Sequence, residues 1–238
     1  MFKLPHIMVI CFSAVFIPLY CRHLRHSSPS YVNTFFKISG IAILFFEPTY
    51  WTWEYLTFRH FDPSTTLPLY LCSLFWMFLP FAIFLKPGIL KRIALSNVAT
   101  MGLIGGLFGI VLNIYVAHYP FFSFVPIRSL LYHFTMLLVS AALWATGYYK
   151  PKAGDEYLCF IPFGIIMIPS LILNKLYGWD YLYTAGGIGT PLEEISAFLP
   201  KPIFLIILWG FMWFCMRLVF FRKTCYKASE IKDKFKTV

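Results

Sequence analysis

Charge is what this sequence is shortest of. Only 13% of its 238 residues are Asp, Glu, Lys or Arg, while 59% are apolar, and one water-soluble core cannot bury that much apolar surface. An ordinary soluble domain is excluded. Acidic residues are the scarcer sign, 10 against 20 Lys and Arg, leaving a net charge of +10. Such an excess can mark a nucleic-acid partner, but here the basic residues flank apolar runs instead of forming a patch, so none is expected. The six cysteines include no CxxC pair, which argues against a disulfide framework or a structural zinc, and no metal or cofactor is expected. Gly186-Gly187-Ile188-Gly189 has no strand before it and the wrong glycine spacing for a nucleotide loop. The last apolar run has no lysine at its centre, which excludes a retinal Schiff base.

Long apolar runs are what the sequence has instead. A helix needs about 20 mostly apolar residues to cross the hydrocarbon layer, and seven segments qualify: Leu4–Cys21, Ile38–Phe58, Leu67–Leu85, Ile93–Tyr115, Ser129–Tyr149, Tyr157–Leu176 and Pro202–Phe221. The first could open a secretory signal, but Arg22 and Arg25 follow it and no small-x-small cleavage site appears, so it reads as a span. With seven spans, fifteen basic residues fall on one side and five (Lys3, Arg59, Arg128, Lys175 and Lys201) on the other. The positive-inside rule then puts the amino terminus outside and the carboxyl terminus in the cytoplasm. The expected fold is all-α: one seven-transmembrane-helix bundle over residues 1–221, a basic cytoplasmic tail over 222–238, and cell-membrane localisation. Thr190-Pro191-Leu192-Glu193 carries a capping-box signature, which predicts a short amphipathic helix, Pro191–Leu199, in the last outer loop.

Polar residues inside the spans are the candidates for function, because burying them in lipid is costly. Glu47 and Glu54 lie seven apart in the second span and share a helix face. Pro68 is expected to open the third helix, placing Cys72 about one turn inside it. His133 lies a comparable distance into the fifth span, Asn113 at the end of the fourth and Asn174 at the end of the sixth. Glu54, Cys72, Asn113, His133 and Asn174 therefore reach one depth near the outer mouths of five helices. One polar group per helix at a shared level is what a bundle pocket for a lipid or small-molecule substrate requires. A thiol and an imidazole brought together would suffice for acyl transfer, with a carboxylate to orient the histidine and an amide to donate to the oxyanion. The alternative is a pocket that binds or transports a small solute or cation through Glu47 and Glu54. Gly102, Gly105, Gly106 and Gly109 in the fourth span read as a close-packing stripe.

Leu67-Pro68-Leu69-Tyr70-Leu71-Cys72, Leu131-Tyr132-His133, and Asn174 followed by Asp180-Tyr181-Leu182-Tyr183 resemble the motif succession of the YwaF-like bacterial integral membrane proteins. These are distantly similar to transmembrane protein 164. The resemblance implies a multi-pass membrane protein that moves acyl chains between phospholipids and lysophospholipids, with Cys72 as nucleophile, His133 as its base, and Asp180 and Tyr181 in the pocket. Two positions depart from the family pattern: Tyr70 stands where a histidine is usual, and Asp180 where an asparagine is.

Overall fold

The computed structural model describes residues 2–220; the expected tail 222–238 and Cys225 lie outside the described residues. The regular elements among them are helical. They are α1 (Leu4–His26), α2 (Pro29–Ala42), α3 (Phe46–Phe58), α4 (Pro63–Thr66), α5 (Leu71–Phe84), α6 (Ile89–Val111), α7 (Tyr115–His118), α8 (Phe124–Ala145), α9 (Asp155–Leu158), α10 (Ile161–Tyr177), α11 (Pro191–Phe198) and α12 (Lys201–Phe220), with short 3-10 turns at Ile43–Phe45 and Tyr181–Tyr183.

Five stretches are long and apolar enough to cross a membrane: Leu4–His26, Ile89–His118, Phe124–Ala145, Asp155–Tyr177 and Lys201–Phe220. Large apolar side chains stand exposed along them, among them Met8, Val15, Ile168 and Ile206, as expected of helices solvated by lipid. The protein is a multi-pass membrane protein.

The other two expected spans take different forms. The Ile38–Phe58 run is not one helix. Pro48 has no N–H to return to the carbonyl four residues back, and the chain takes its 3-10 turn at Ile43–Phe45 just before it. The preceding helix starts ahead of the expected span instead, because Pro29 takes the first helical position and the Ser28 hydroxyl accepts the Tyr31 N–H at 3.3 Å. The helix expected from Leu67 begins at Leu71 and is 14 residues long. Leu67 is held extended (φ −70°, ψ 137°), since a residue before proline is steered away from the α region. Pro68 therefore belongs to the approach.

α6 lies centrally, packed on α5 along one side and α8 along another. Its glycines face α8: a methyl group at Gly106 would come within 2.6 Å of the Leu137 backbone nitrogen, and one at Gly105 within 2.6 Å of Met136 Cε. Lipid gives helices no hydrophobic reason to associate, so this close approach supplies the packing contacts that do. At one end of the bundle the fully buried Asp155 carboxylate accepts from Arg92 (2.7 Å), the Tyr149 hydroxyl (2.8 Å) and the Lys152 N–H (2.9 Å). At the other end His6 of α1 donates through Nε2 to the Ile110 carbonyl at 2.8 Å, satisfying one of the orphan carbonyls in the last turn of α6.

α11 forms where the capping signature predicts a helix. Thr190 Oγ1 accepts the Leu192 N–H at 3.2 Å, and Glu193 accepts the Gly189 N–H at 2.7 Å, one residue earlier than a regular capping box would have it.

Candidate active site

Tyr70 is the extended cap before α5 (φ −90°, ψ 155°), so Cys72 occupies the first turn of that helix and not a position one turn inside it. The change matters chemically. The first turn of a helix carries its positive end, which stabilises negative charge that develops beside it during a reaction.

Across from it, His133 of α8 brings Nε2 to 3.3 Å from the Cys72 sulfur. Its other nitrogen, Nδ1, lies 2.8 Å from the Ser129 carbonyl oxygen one turn earlier on the same helix. A carbonyl can only accept, so Nδ1 carries the hydrogen, and the neutral ring presents a bare Nε2 to the thiol. The Ser129 hydroxyl, 3.4 Å from Nδ1, accepts from Asn113 Nδ2 at 2.9 Å, and the same amide donates to the Gly109 carbonyl at 3.0 Å. Asn113 thus closes the end of α6 and braces the turn of α8 that aims the imidazole. Gly109 makes room for the ring, since a β-carbon there would overlap its Cδ2, Cγ and Nε2 atoms.

The neighbouring Tyr132 fastens α8 to α5 independently. Its hydroxyl donates to the Cys72 carbonyl at 2.7 Å and accepts the Trp76 N–H at 3.1 Å, joining two groups that bond directly in an uninterrupted helix. Cys72 and His133 are both partly buried.

The roof over the first turn of α5 is the loop after α10. Asn174 clasps the backbone of one residue of that loop: it accepts the Tyr181 N–H at 2.9 Å and donates to the Tyr181 carbonyl and the Thr184 hydroxyl, both at 2.8 Å. Asp180 accepts the Ala185 and Ile188 N–H groups, both at 2.7 Å. Tyr181, fully buried, donates its hydroxyl to the Pro63 carbonyl and sets its ring 5.0 Å from that of Tyr70. Burial pushes the Tyr181 phenol up to about 12, so it stays protonated and keeps donating.

A family model, that of the TMEM164 family, matches residues 1–220. The chain belongs to the TMEM164 family. No curated protein and no solved structure matches it. Within this TMEM164-family protein the residues singled out from sequence divide into three groups. Cys72 and His133 meet, and Asn113 stands behind them through Ser129. Asn174, Asp180 and Tyr181 do not reach the sulfur; they fold the loop above it. Glu47 and Glu54 take different partners. Glu47 pairs with Arg128 at 2.9 Å, while Glu54, buried on the same helix, accepts from the Thr65 and Thr66 hydroxyls at 3.1 and 2.6 Å.

Sequence reasoning gave no role at the site to Tyr132, Ser129, Gly109 or Arg128. Tyr132 had a signal, its place beside His133 in a tripeptide already of interest. Arg128 was counted only for topology, yet its guanidinium lies over Tyr50 (4.7 Å) and Tyr132 (5.8 Å) and donates to the Phe46 carbonyl at 3.2 Å. A shallow apolar groove lined by Pro48, Thr49, Thr52, Trp53, Leu56 and Phe124 runs along α3; neither Cys72 nor His133 lines it. The TMEM164-family protein shows no cluster of His, Cys, Asp and Glu able to hold a metal among the described residues.

Proposed function

We propose that the protein is a thiol-dependent acyltransferase acting on membrane phospholipids, with Cys72 as nucleophile and His133 as general base. The observation that carries this reading is the 3.3 Å approach of Nε2 to the sulfur, with the proton of the ring pinned on the far nitrogen by the Ser129 carbonyl. The motif resemblance to YwaF-like proteins and membership of the TMEM164 family support a lipid substrate.

His133 takes the thiol proton, and the sulfur attacks the carbonyl carbon of an acyl ester. The tetrahedral intermediate collapses to a thioester as the departing lysophospholipid oxygen receives the proton from His133. The hydroxyl of a second lysophospholipid then gives its proton to His133, attacks the thioester, and displaces the sulfur, restoring the thiol. No water is needed, and a membrane-embedded site disfavours hydrolysis as the competing fate.

The topology belongs to the same proposal. The five long apolar stretches are joined by two further crossings, α5 and the kinked α2–α3 pair, to give seven. The excess of Lys and Arg on one side then opens the Cys72–His133 site toward the outer leaflet of the cell membrane.

The test uses purified protein in vesicles containing a phospholipid with a labelled acyl chain and an unlabelled lysophospholipid. Cys72→Ala should abolish transfer of label, and His133→Ala should lower it by about 10²–10⁴-fold, the usual contribution of a general base. Wild-type turnover in either variant would end the proposal.

A further inference from the structure

The reading above leaves one chemical need unassigned: a side chain to receive the negative charge that forms on the ester oxygen. Tyr183 has the position and the free group for it. Leu182 (φ 56°, ψ 15°) and Tyr183 (φ 59°) are consecutive non-glycine residues in the left-handed region. Such residues are costly and persist where the surroundings over-determine them, commonly at functional sites. Here the surroundings are the Asn174 clasp on Tyr181, the Asp180 carboxylate bonded to two N–H groups beyond, and the Tyr181 hydroxyl on Pro63.

The strained turn delivers the Tyr183 ring to within 6.0 Å of the ring of Tyr70, the cap residue two positions before Cys72. Leu182, next to it, packs in one apolar cluster with Leu69, Leu71 and Leu74, the residues that flank Cys72, so the turn sits over the helical turn that carries the thiol. Its hydroxyl has no hydrogen-bond partner among the described residues, whereas the phenols of Tyr132, Tyr149 and Tyr181 all donate. A strained loop that places a donor with nothing to donate to beside a nucleophile has the form of a preorganised charge-stabilising group.

We propose that Tyr183 is the catalytic residue that donates its O–H to the oxyanion formed when the Cys72 sulfur attacks the ester carbonyl. This rests on the acyl-transfer reading. As the carbon–sulfur bond forms, the carbonyl π pair moves onto oxygen and the phenol holds it there. When the pair returns, either the alkoxide or the sulfur leaves. The phenol keeps its proton throughout. Burial first, and then the neighbouring Cys72, Tyr115, Tyr70 and Asp180, push its ionisation far above the ordinary tyrosine range, so it remains a donor at any pH at which the protein works.

Tyr183→Phe keeps the ring and removes only the O–H. Two reactions of Cys72 in detergent-solubilised wild type and variant separate the possibilities: acylation by p-nitrophenyl octanoate, read by p-nitrophenolate release and adduct mass, and alkylation by iodoacetamide, which forms no oxyanion. Acylation should fall by about 10²–10³-fold, the cost of removing one oxyanion donor, with alkylation unchanged. Equal acylation in the two proteins would overturn the role of Tyr183 while leaving Cys72 as the nucleophile. Acylation and alkylation falling together would also overturn it, because the phenol would then be acting on the thiol. A wild-type Cys72 that is alkylated but never acylated would instead defeat the acyl-transfer reading itself.

Discussion

Gly109 and His133 fill one another's space: the imidazole lies flat over the bare α-carbon, and any β-carbon at 109 would overlap the ring. Gly109→Ala must therefore move the ring off its line to the sulfur or push α8 from α6. Acyl transfer should fall on the order of 10²-fold, as a misplacement of about an ångström does. Gly105→Ala overlaps only the flexible end of Met136 and meets the Cys72 sulfur at an ordinary contact distance of 3.9 Å, so it should retain most activity. Equal activity in the two variants would contradict the packing account.

Tyr132→Phe removes the hydroxyl between the Cys72 carbonyl and the Trp76 N–H. Those two groups can close on each other as an ordinary helical bond, so unfolding should change by only about 0.5–1.5 kcal/mol, the net worth of a hydrogen bond. The turn bearing the thiol loses its tie to α8, however. Turnover should drop by more than the stability change accounts for, measured as rate per folded molecule against a thermal melt.

Asn174→Ala strands the Tyr181 N–H and carbonyl and the Thr184 hydroxyl. We expect a loss of about 1–3 kcal/mol for the unsatisfied groups, together with reduced transfer as the roof over α5 loosens. Asn174→Asp retains the acceptor for the Tyr181 N–H, but it turns a carboxylate oxygen on the Tyr181 carbonyl and should do no better. Denaturant unfolding in micelles distinguishes these variants from wild type.

At the far end of the bundle, Arg92→Leu leaves the Asp155 carboxylate buried without its cation. The expected cost is about 3 kcal/mol, the low end for breaking a buried pair, because Arg92 keeps 25% of its side chain exposed. Activity per folded molecule should not change, since this pair and the thiol occupy opposite ends of α6. A specific loss of activity at normal stability would show the ends to be coupled.

The spans of α1, α6, α8, α10 and α12 were legible in sequence because each is a long apolar run with charged flanks. The break between α2 and α3 was written there too, in Ser28-Pro29 and in Pro48, but hydropathy averages over such residues and cannot weigh one missing N–H. Loop-to-loop distance put Cys72 and His133 at a common depth, since that comparison needs only the helical rise. Partners were beyond it. Whether Glu47 meets Arg128 depends on how α3 and α8 are turned toward each other, and Arg128 sits at the start of α8, where a basic residue reads simply as a topological marker. Gly109 was legible as a packing residue, but that its packing partner is the imidazole follows only from where α8 lies.

Tyr132 and His133 are adjacent, so their side chains leave α8 roughly 100° apart, yet one takes the carbonyl of Cys72 and the other its sulfur. The cysteine is therefore gripped from two directions by a single turn of the facing helix. Sliding or rolling between α5 and α8 would release both holds at once, so that seam cannot serve as a doorway. Anything as bulky as a lipid tail must enter by displacing a different wall, either the short helix α3 or the strained segment around Leu182. Cross-links placed on those two walls would throttle admission without disturbing the pair they enclose.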